Sequence, residues 1–262
     1  MRYFDAHAHV QFDLYDADRE DLLAKMREEE VGGLMVGVDL ESSRRAIALV
    51  EGRDDLYASV GLHPNHADEF EGAEVYAELA KHPKVVAIGE CGLDNFRPAD
   101  ADASAPRQRE VFAKHVELAL ASDKPLMIHA RPRKGTMDAY DELIDILGSY
   151  RREHGDTLRG NIHFFVGGVE EAKALIELGF TISFTAVLTF ACDYDEVVRH
   201  APLSSILAET DAPYVAPASR RGERNDPLAV KDVVRAIAEI RGEDEEAVRT
   251  ALLANARRLF AL

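Results

Sequence analysis

The chain is short of several things at once, and each shortage removes a class of protein. It has 2 cysteines in 262 residues, Cys91 and Cys192, and no C-x-x-C. That argues against a disulfide framework or a cysteine-ligated metal site, and two reduced, buried thiols are expected. No run approaches the roughly 18 uninterrupted apolar residues that span a bilayer. The opening MRYFDAHAHVQFD turns polar too early for a secretory signal, so a cytoplasmic location without membrane contact is expected. Gly/Ser linkers, low-complexity tracts, a Walker motif and a dinucleotide fingerprint are missing, and Gly32-Gly33 and Gly167-Gly168 read as turns. Basic charge is scarce. A formal net charge of -17 argues against a broad basic surface that tracks a nucleic-acid backbone. No dedicated nucleic-acid module and no obligate protein partner is visible. The basic residues are 23 Arg against 8 Lys; a high-salt habitat is compatible with that bias, but a GC-rich genome accounts for it as well, so no habitat is read from it.

What is present is alternation. Apolar, β-rich runs at 2-9, 33-38, 56-62, 84-90, 125-129, 159-164, 180-185 and 205-209 are separated by amphipathic stretches such as Asp18 to Glu30, Ser42 to Glu51 and Pro106 to Ser122. Pro106 reads as a first-turn proline, Gly148 as the stop of the helix after strand five, and Gly179 as the stop after strand six. Strands alternating with helices imply a parallel sheet, and a count of eight favours a closed (β/α)8 barrel over a doubly wound open sheet. A chain of 262 residues with 47% hydrophobic content fits one such domain over 1–262. From Glu243 to Phe260, Val248, Leu252, Ala256 and Leu259 recur at helical spacing, with acids first and Arg257 and Arg258 last. This reads as an extra C-terminal helix packed on the outside of the barrel.

The residues that can do chemistry share one location. His7 and His9 are two apart at the end of the first strand, so both imidazoles can face one ion. Glu90 ends strand four, His129 strand five and His163 strand six, and Asp211 lies just past strand eight. Singly, each has an ordinary structural explanation. Together they place metal-type ligands at one end of a barrel, the end where such folds build active sites. Four imidazoles and two carboxylates suit two divalent ions.

The blocks FDAHAHV at 4-10, GLHP at 61-64, IGECGLD at 88-94, MIHAR at 127-131, IHFFVGG at 162-168 and ILAETDAPYVAP at 206-217 follow in order, and RRGERNDP at 220-227 and NARRLF at 255-260 complete the set. With these, the chain resembles the TatD-like metal-dependent hydrolases, the TatD-type deoxyribonucleases of the amidohydrolase superfamily, over essentially its whole length. The resemblance implies a TIM barrel and a two-metal centre. One ion would be held by His7, His9, Glu90 and Asp211, and a second, bridged by Glu90, by His129 and His163. Members often carry an acid soon after the H-S/A-R element, where this chain has Arg131-Pro132-Arg133-Lys134-Gly135. That departure, with the small, acidic segment NFRPADADASA before Pro106, touches the substrate pocket and not the ligands.

The expected mechanism is hydrolysis by a bridging or terminal water activated by two ions, whether Zn, Mg or Mn, with Asp211 as general base and Glu90 fixing the ion spacing. Asp5 and Glu209 are expected to support the ligands. His63, Arg131, Arg221 and Arg224 are expected to contact substrate, with Arg133, Lys134 and Arg220 on neighbouring loops. Two ions minus two carboxylates and a hydroxide leave the pocket positive, which favours DNA or another phosphate-bearing substrate. An exo-type deoxyribonuclease leads. A metal-dependent esterase or deacylase, for instance on aminoacyl-RNA, and a non-catalytic scaffold retaining the barrel are the alternatives.

Overall fold

The apolar runs form parallel strands and the stretches between them fold back as helices, because a parallel neighbour can only be reached by a crossover. The computed structural model describes residues 1–98 and 100–262. Among the described residues, eight strands form one sheet in the order β1 to β8: β1 (Tyr3–Ala8), β2 (Val31–Val36), β3 (Leu56–Val60), β4 (Val85–Asp94), β5 (Leu126–Arg131), β6 (Gly160–Ile162), β7 (Thr181–Phe184) and β8 (Ile206–Ala208). The chain just past β8 closes the ring onto β1. Asp211 N–H donates to the His7 carbonyl (2.9 Å) and His9 N–H to the Ala212 carbonyl (2.8 Å). The structure is a (β/α)8 barrel with an extra C-terminal helix.

The helices are α1 (Arg19–Glu28), α2 (Leu40–Val50), α3 (Ala73–Ala80), α4 (Ala101–Ser122), α5 (Asp138–His154), α6 (Val169–Glu177), α7 (Asp195–His200), α8 (Val230–Arg241) and α9 (Glu245–Phe260). Local signals set several starts. Asp39 and Ser42 cap α2 reciprocally, and Asp244 accepts from Ala247 N–H at the start of α9.

Four expectations need correction. Pro106 is not in the first turn of its helix: Asp100 accepts from Ala103 N–H, so α4 begins at Ala101 and takes the proline in its second turn at the loss of one hydrogen bond. The segment read as a loop between Asp94 and Pro106 is therefore partly helix, and its Ala99 lies outside the described residues. Gly148 does not stop α5; it is buried within the helix, which runs on to His154 and ends at Gly155. Cys91 is buried as expected, but Cys192 is exposed, on the loop before α7.

Helix α9 also lies elsewhere than expected. Phe4, Ala6, Leu34, Val36, Ala87, Met127 and Leu207 come from five strands, including the opposite strands β4 and β8, yet pack together, which places them inside the barrel. Leu253, Ala256, Leu259 and Phe260 of α9 join them. Phe260 meets Phe4 at 6.0 Å between ring centres, and Asn255 donates to the carbonyls of Leu203 and Ile206 at the start of β8. The helix thus covers the N-terminal mouth of the barrel and not its flank. Its apolar stripe faces the barrel's own interior side chains.

Strand irregularities aim the side chains at the other mouth. Pairing slips between Asp5 and Ala8 in β1 and between Ile88 and Cys91 in β4, around His7 and Glu90 respectively. Strand four outruns its expected end at residue 90 because Gly89 and Gly92 sit at φ 144° and 141°. There an added Cβ would lie 2.2 Å from the Met127 carbonyl oxygen and 2.0 Å from that of His129. Only glycine lets β4 lie this close to β5 while re-aiming Glu90.

Candidate metal centre

The structure brings all six expected ligand residues together at the C-terminal ends of the strands. His7 Nε2 lies 3.1 Å from His9 Nε2, 3.4 Å from Glu90 Oε2 and 3.7 Å from Asp211 Oδ1; His9 Nε2 lies 3.6 Å from that oxygen. On the other side, Glu90 Oε1 lies 2.9 Å from His163 Nε2 and 3.0 Å from His129 Nδ1, and these nitrogens are 3.2 Å apart. Two donors each about 2.1 Å from one ion in tetrahedral geometry stand about 3.4 Å apart. The spacings match that figure, with one oxygen of Glu90 on each side.

Where the protons sit sharpens the fit. A carbonyl or carboxylate can only accept, so the ring nitrogen facing it carries the hydrogen. His9 Nδ1 donates to the Val36 carbonyl (2.8 Å), which leaves Nε2 as a free lone pair facing the site. His129 lies between two carboxylates, Nε2 at 3.2 Å from Asp94 Oδ2 and Nδ1 at 3.0 Å from Glu90 Oε1; with its proton on the Asp94 side, Nδ1 offers a lone pair to the site. Glu209 Oε1 stands 3.6 Å from His163 Nδ1 and also accepts from Phe164 N–H (2.5 Å). Lone pairs and a carboxylate oxygen at about 3 Å repel unless positive charge lies between them. The donor set is therefore suited to cations.

The electrostatics agree. Burial opposes charge on Glu90, but His163, His63 and His129 outweigh it and hold the carboxyl well below its usual range. Burial likewise opposes charge on Asp211, and His9 with His7 pulls it below. Burial and His163 lower His7, which favours the neutral ring a metal needs. His163 is driven the other way: burial disfavours its imidazolium, yet Glu90 and Glu209 hold its pKa well above normal. The site asks for positive charge between Glu90 and His163. Asp211 itself sits at φ 53°, a left-handed conformation that aspartate tolerates better than most residues.

Sequence reasoning missed two residues. Asp94, fully buried at the end of β4, faces His129 Nε2. Its signal was the alternation Glu90, Gly92, Asp94, which puts both acids on one face of one strand. Arg97 was hidden in a loop. Its guanidinium lies 3.2 Å from Asp94 Oδ2 and 3.4 Å from His63 Nε2. His63, Asp94 and His129 also cluster closely enough to hold a metal, but that guanidinium already supplies the positive charge there. Asn65 N–H donates to His63 Nδ1, so its Nε2–H faces the cavity, and burial lowers its pKa to about 3.

Other expected residues lie elsewhere. Asp5 touches no ligand ring; it accepts from the backbone N–H of His7 (3.2 Å) and Thr210 (2.9 Å) and so fixes the chain before Asp211. Arg131, Arg133 and Lys134 line the cavity over the metal centre, with His63 and Arg97. Arg221 and Arg224 do not line it. Arg221 packs on Phe190 at 3.8 Å, and Arg224 is held by Asp18 and the Tyr15 ring. Arg220 pairs with Asp226 at 2.6 Å. Each arginine found a local carboxylate or ring, which a one-dimensional reading cannot foresee.

A (β/α)8 barrel with histidine pairs and acids gathered at its strand ends is the architecture of a metal-dependent hydrolase. The chain belongs to the TatD-related DNase family, whose model matches residues 4–261. It is 35% identical over 267 residues to an uncharacterized metal-dependent hydrolase, YabD, of Bacillus subtilis (strain 168), covering 99% of each chain. It is 33% identical over 276 residues to the 3'-5' ssDNA/RNA exonuclease TatD of Erwinia billingiae (strain Eb661), again covering 99% of each. The crystal structure of YjjV, a TatD homologue from Escherichia coli K12, superposes with a TM-score of 0.87 at 28% identity, covering 100% of this chain and 98% of that one. The chain is thus a metal-dependent hydrolase of this family. No helix among the described residues is long and apolar enough to cross a membrane.

Proposed function

We propose that this protein hydrolyses phosphodiester bonds at the end of a nucleic-acid strand, using two divalent ions. The observation that carries the reading is Glu90, whose Oε1 lies 2.9 and 3.0 Å from His163 and His129 while its Oε2 lies 3.4 Å from His7. His7, His9 and Asp211 would hold one ion with Glu90, and His129 and His163 the other. When bound, such a pair lowers the pKa of water and neutralises charge on the phosphoryl oxygens.

The chain's own residues supply the rest. Asp211, ionised and at the edge of the cavity, accepts the proton of the attacking water. Glu90 fixes the separation of the two ligand sets. Asp94 holds the ring of His129 so that its lone pair faces inward, and the charge of Glu209, 3.6 Å from His163 Nδ1, favours the same orientation there. Two ions would balance the carboxylates of Glu90, Asp211, Asp94 and Glu209, so the positive sign of the cavity comes from Arg97, Arg131 and Lys134 in its wall, in a protein of net charge -17. An anionic strand is drawn to this cavity and repelled by most of the remaining surface. The relatives named as 3'-5' ssDNA/RNA exonucleases support the choice of substrate class.

The test is metal analysis of reconstituted protein, with turnover of end-labelled single-stranded DNA, duplex DNA and aminoacyl-RNA under Mg, Mn or Zn. About two ions per chain and chelator-sensitive release of terminal nucleotides are expected. Asp211→Asn should lower kcat about 10²- to 10⁴-fold, the usual worth of general base catalysis. Hydrolysis of aminoacyl-RNA alone, or full turnover by Asp211→Asn, would overturn the reading or the role of Asp211 respectively.

A further inference from the structure

The cavity over the metal centre is about 1180 Å³, far larger than six ligands need, and its wall is not only charged. Large apolar side chains exposed among the described residues are Leu14, Phe96, Phe190 and Tyr214. Two of these, Phe96 (50% exposed) and Tyr214 (52%), line this cavity. Covering a ring of this size typically stabilises a protein by about 1.5–3 kcal/mol, so bared rings inside a functional cavity mark a ligand surface.

Their placement is specific. Phe96 follows β4 and Tyr214 follows β8, and these strands stand half a turn apart in an eight-strand ring. The two rings therefore belong to loops that rise from opposite sides of the mouth. Tyr214 lies 6.4 Å from the ring of His9, so it borders the metal centre directly. Arg131 packs over Phe96 at 4.4 Å, and Arg97 adjoins it in sequence, which sets phosphate-binding cations beside the ring. Stacking faces interleaved with cations are the means by which proteins hold single-stranded nucleic acid, because every unpaired base offers a π-face and every link a phosphate. A duplex keeps its base faces covered.

We infer that Phe96 and Tyr214 clamp the unpaired bases flanking the scissile phosphate, and so select single-stranded ends with little preference for which base is present. The inference rests on the phosphodiesterase reading above and adds to it the residues that choose the strand. The arginines and lysine hold the backbone; the two rings hold the bases.

Phe96→Leu and Tyr214→Leu test it, since leucine keeps an apolar side chain and removes the π-face, and Tyr214→Phe, which keeps the ring and loses only the hydroxyl, should bind like wild type. The first probe is a single-stranded deoxyoligonucleotide with 2-aminopurine at its 3′ end and cleavage-resistant phosphorothioate links, titrated with the metal-loaded protein. Wild-type protein should quench the fluorescence, and each leucine variant should bind about tenfold more weakly, which is about 1.4 kcal/mol. The second probe is an otherwise identical strand with natural links and an abasic 3′ end. Wild-type kcat/KM should fall about tenfold on it, and this difference should shrink in each leucine variant while metal content is unchanged. Equal quenching by wild type and leucine variants, or an intact end and an abasic end cleaved alike by the wild type, overturns the clamp. Quenching without cleavage of any strand under Mg, Mn or Zn leaves the clamp standing and removes the phosphodiesterase reading. Cleavage unaffected by the leucine variants does the reverse.

Discussion

The two mouths of the barrel are built from the same strands and have opposite character. At the N-terminal mouth, Phe4 and Ala6 of β1 meet Leu253, Ala256, Leu259 and Phe260 of α9 in a dry contact. At the C-terminal mouth, only a few residues further along β1, His7 and His9 face Glu90 and Asp211 below an open cavity. One end is satisfied by dispersion and exclusion of water; the other gathers lone pairs and carboxylates that ask for cations. The difference shows how a barrel separates its tasks. Stability is concentrated where the polar groups are not, so the functional mouth can hold close, repelling donors that would by themselves open a less firmly closed fold.

The comparison can be broken most severely at Glu90. Glu90→Gln should lower kcat about a thousandfold or more, about 4 kcal/mol, and reduce bound metal below two ions per chain. Its thermal midpoint should stay within a few degrees. A metal content unchanged from wild type would remove Glu90 as the shared ligand. The converse break is Phe260→Ala at the closed mouth, which should cost about 3–5 kcal/mol of stability in urea unfolding while kcat per folded molecule is preserved. Lost activity in the folded variant would mean that the two mouths are coupled.

A subtler probe is the scaffold beneath the open mouth. His115 on α4 is fully buried, donates to the Val111 carbonyl and accepts from Leu62 N–H beside His63, and burial pushes its pKa down from 6.5 to about 4. Between those values the unfolded chain takes up a proton that the folded chain refuses. Stability should therefore fall as pH drops from 6.5 towards 4, by on the order of 3 kcal/mol, and flatten below. His115→Gln should remove that part of the slope in unfolding curves recorded across this range. The smallest effect separates the two ligand sets from each other. Asp94→Asn keeps the shape but weakens the acceptor behind His129, so the affinity of one ion should fall about 10- to 100-fold and that of the other should stay. Calorimetric metal titration would show one step shifted; two equal shifts would make Asp94 a general structural residue.

Much of the fold could be read from local signals. Alternating apolar runs gave β1 to β8 to within a few residues, since a strand buried on both faces must be apolar nearly throughout. The error at β4 came from Gly89 and Gly92, whose meaning depends on the close approach of β5. The errors at Pro106 and Gly148 share one cause: a residue's propensity is weak against a nearby cap such as Asp100 or a buried helix face. The six candidate ligands were legible because each directly ends or follows a strand. Arg97, Phe96 and Tyr214 were not, because loop residues carry no periodicity.

By itself the sequence determined the barrel, the end at which histidines and acids would gather and the kinds of side chain assembled there. Order along the chain becomes order around the ring when each strand pairs with the next. The tertiary structure alone decided three things: that Glu90 turns one oxygen to His7 and the other to His129 and His163, that Arg221 and Arg224 are engaged away from the cavity, and that α9 covers the barrel's far mouth. All three depend on distances between segments far apart in sequence, which no local periodicity or motif contains.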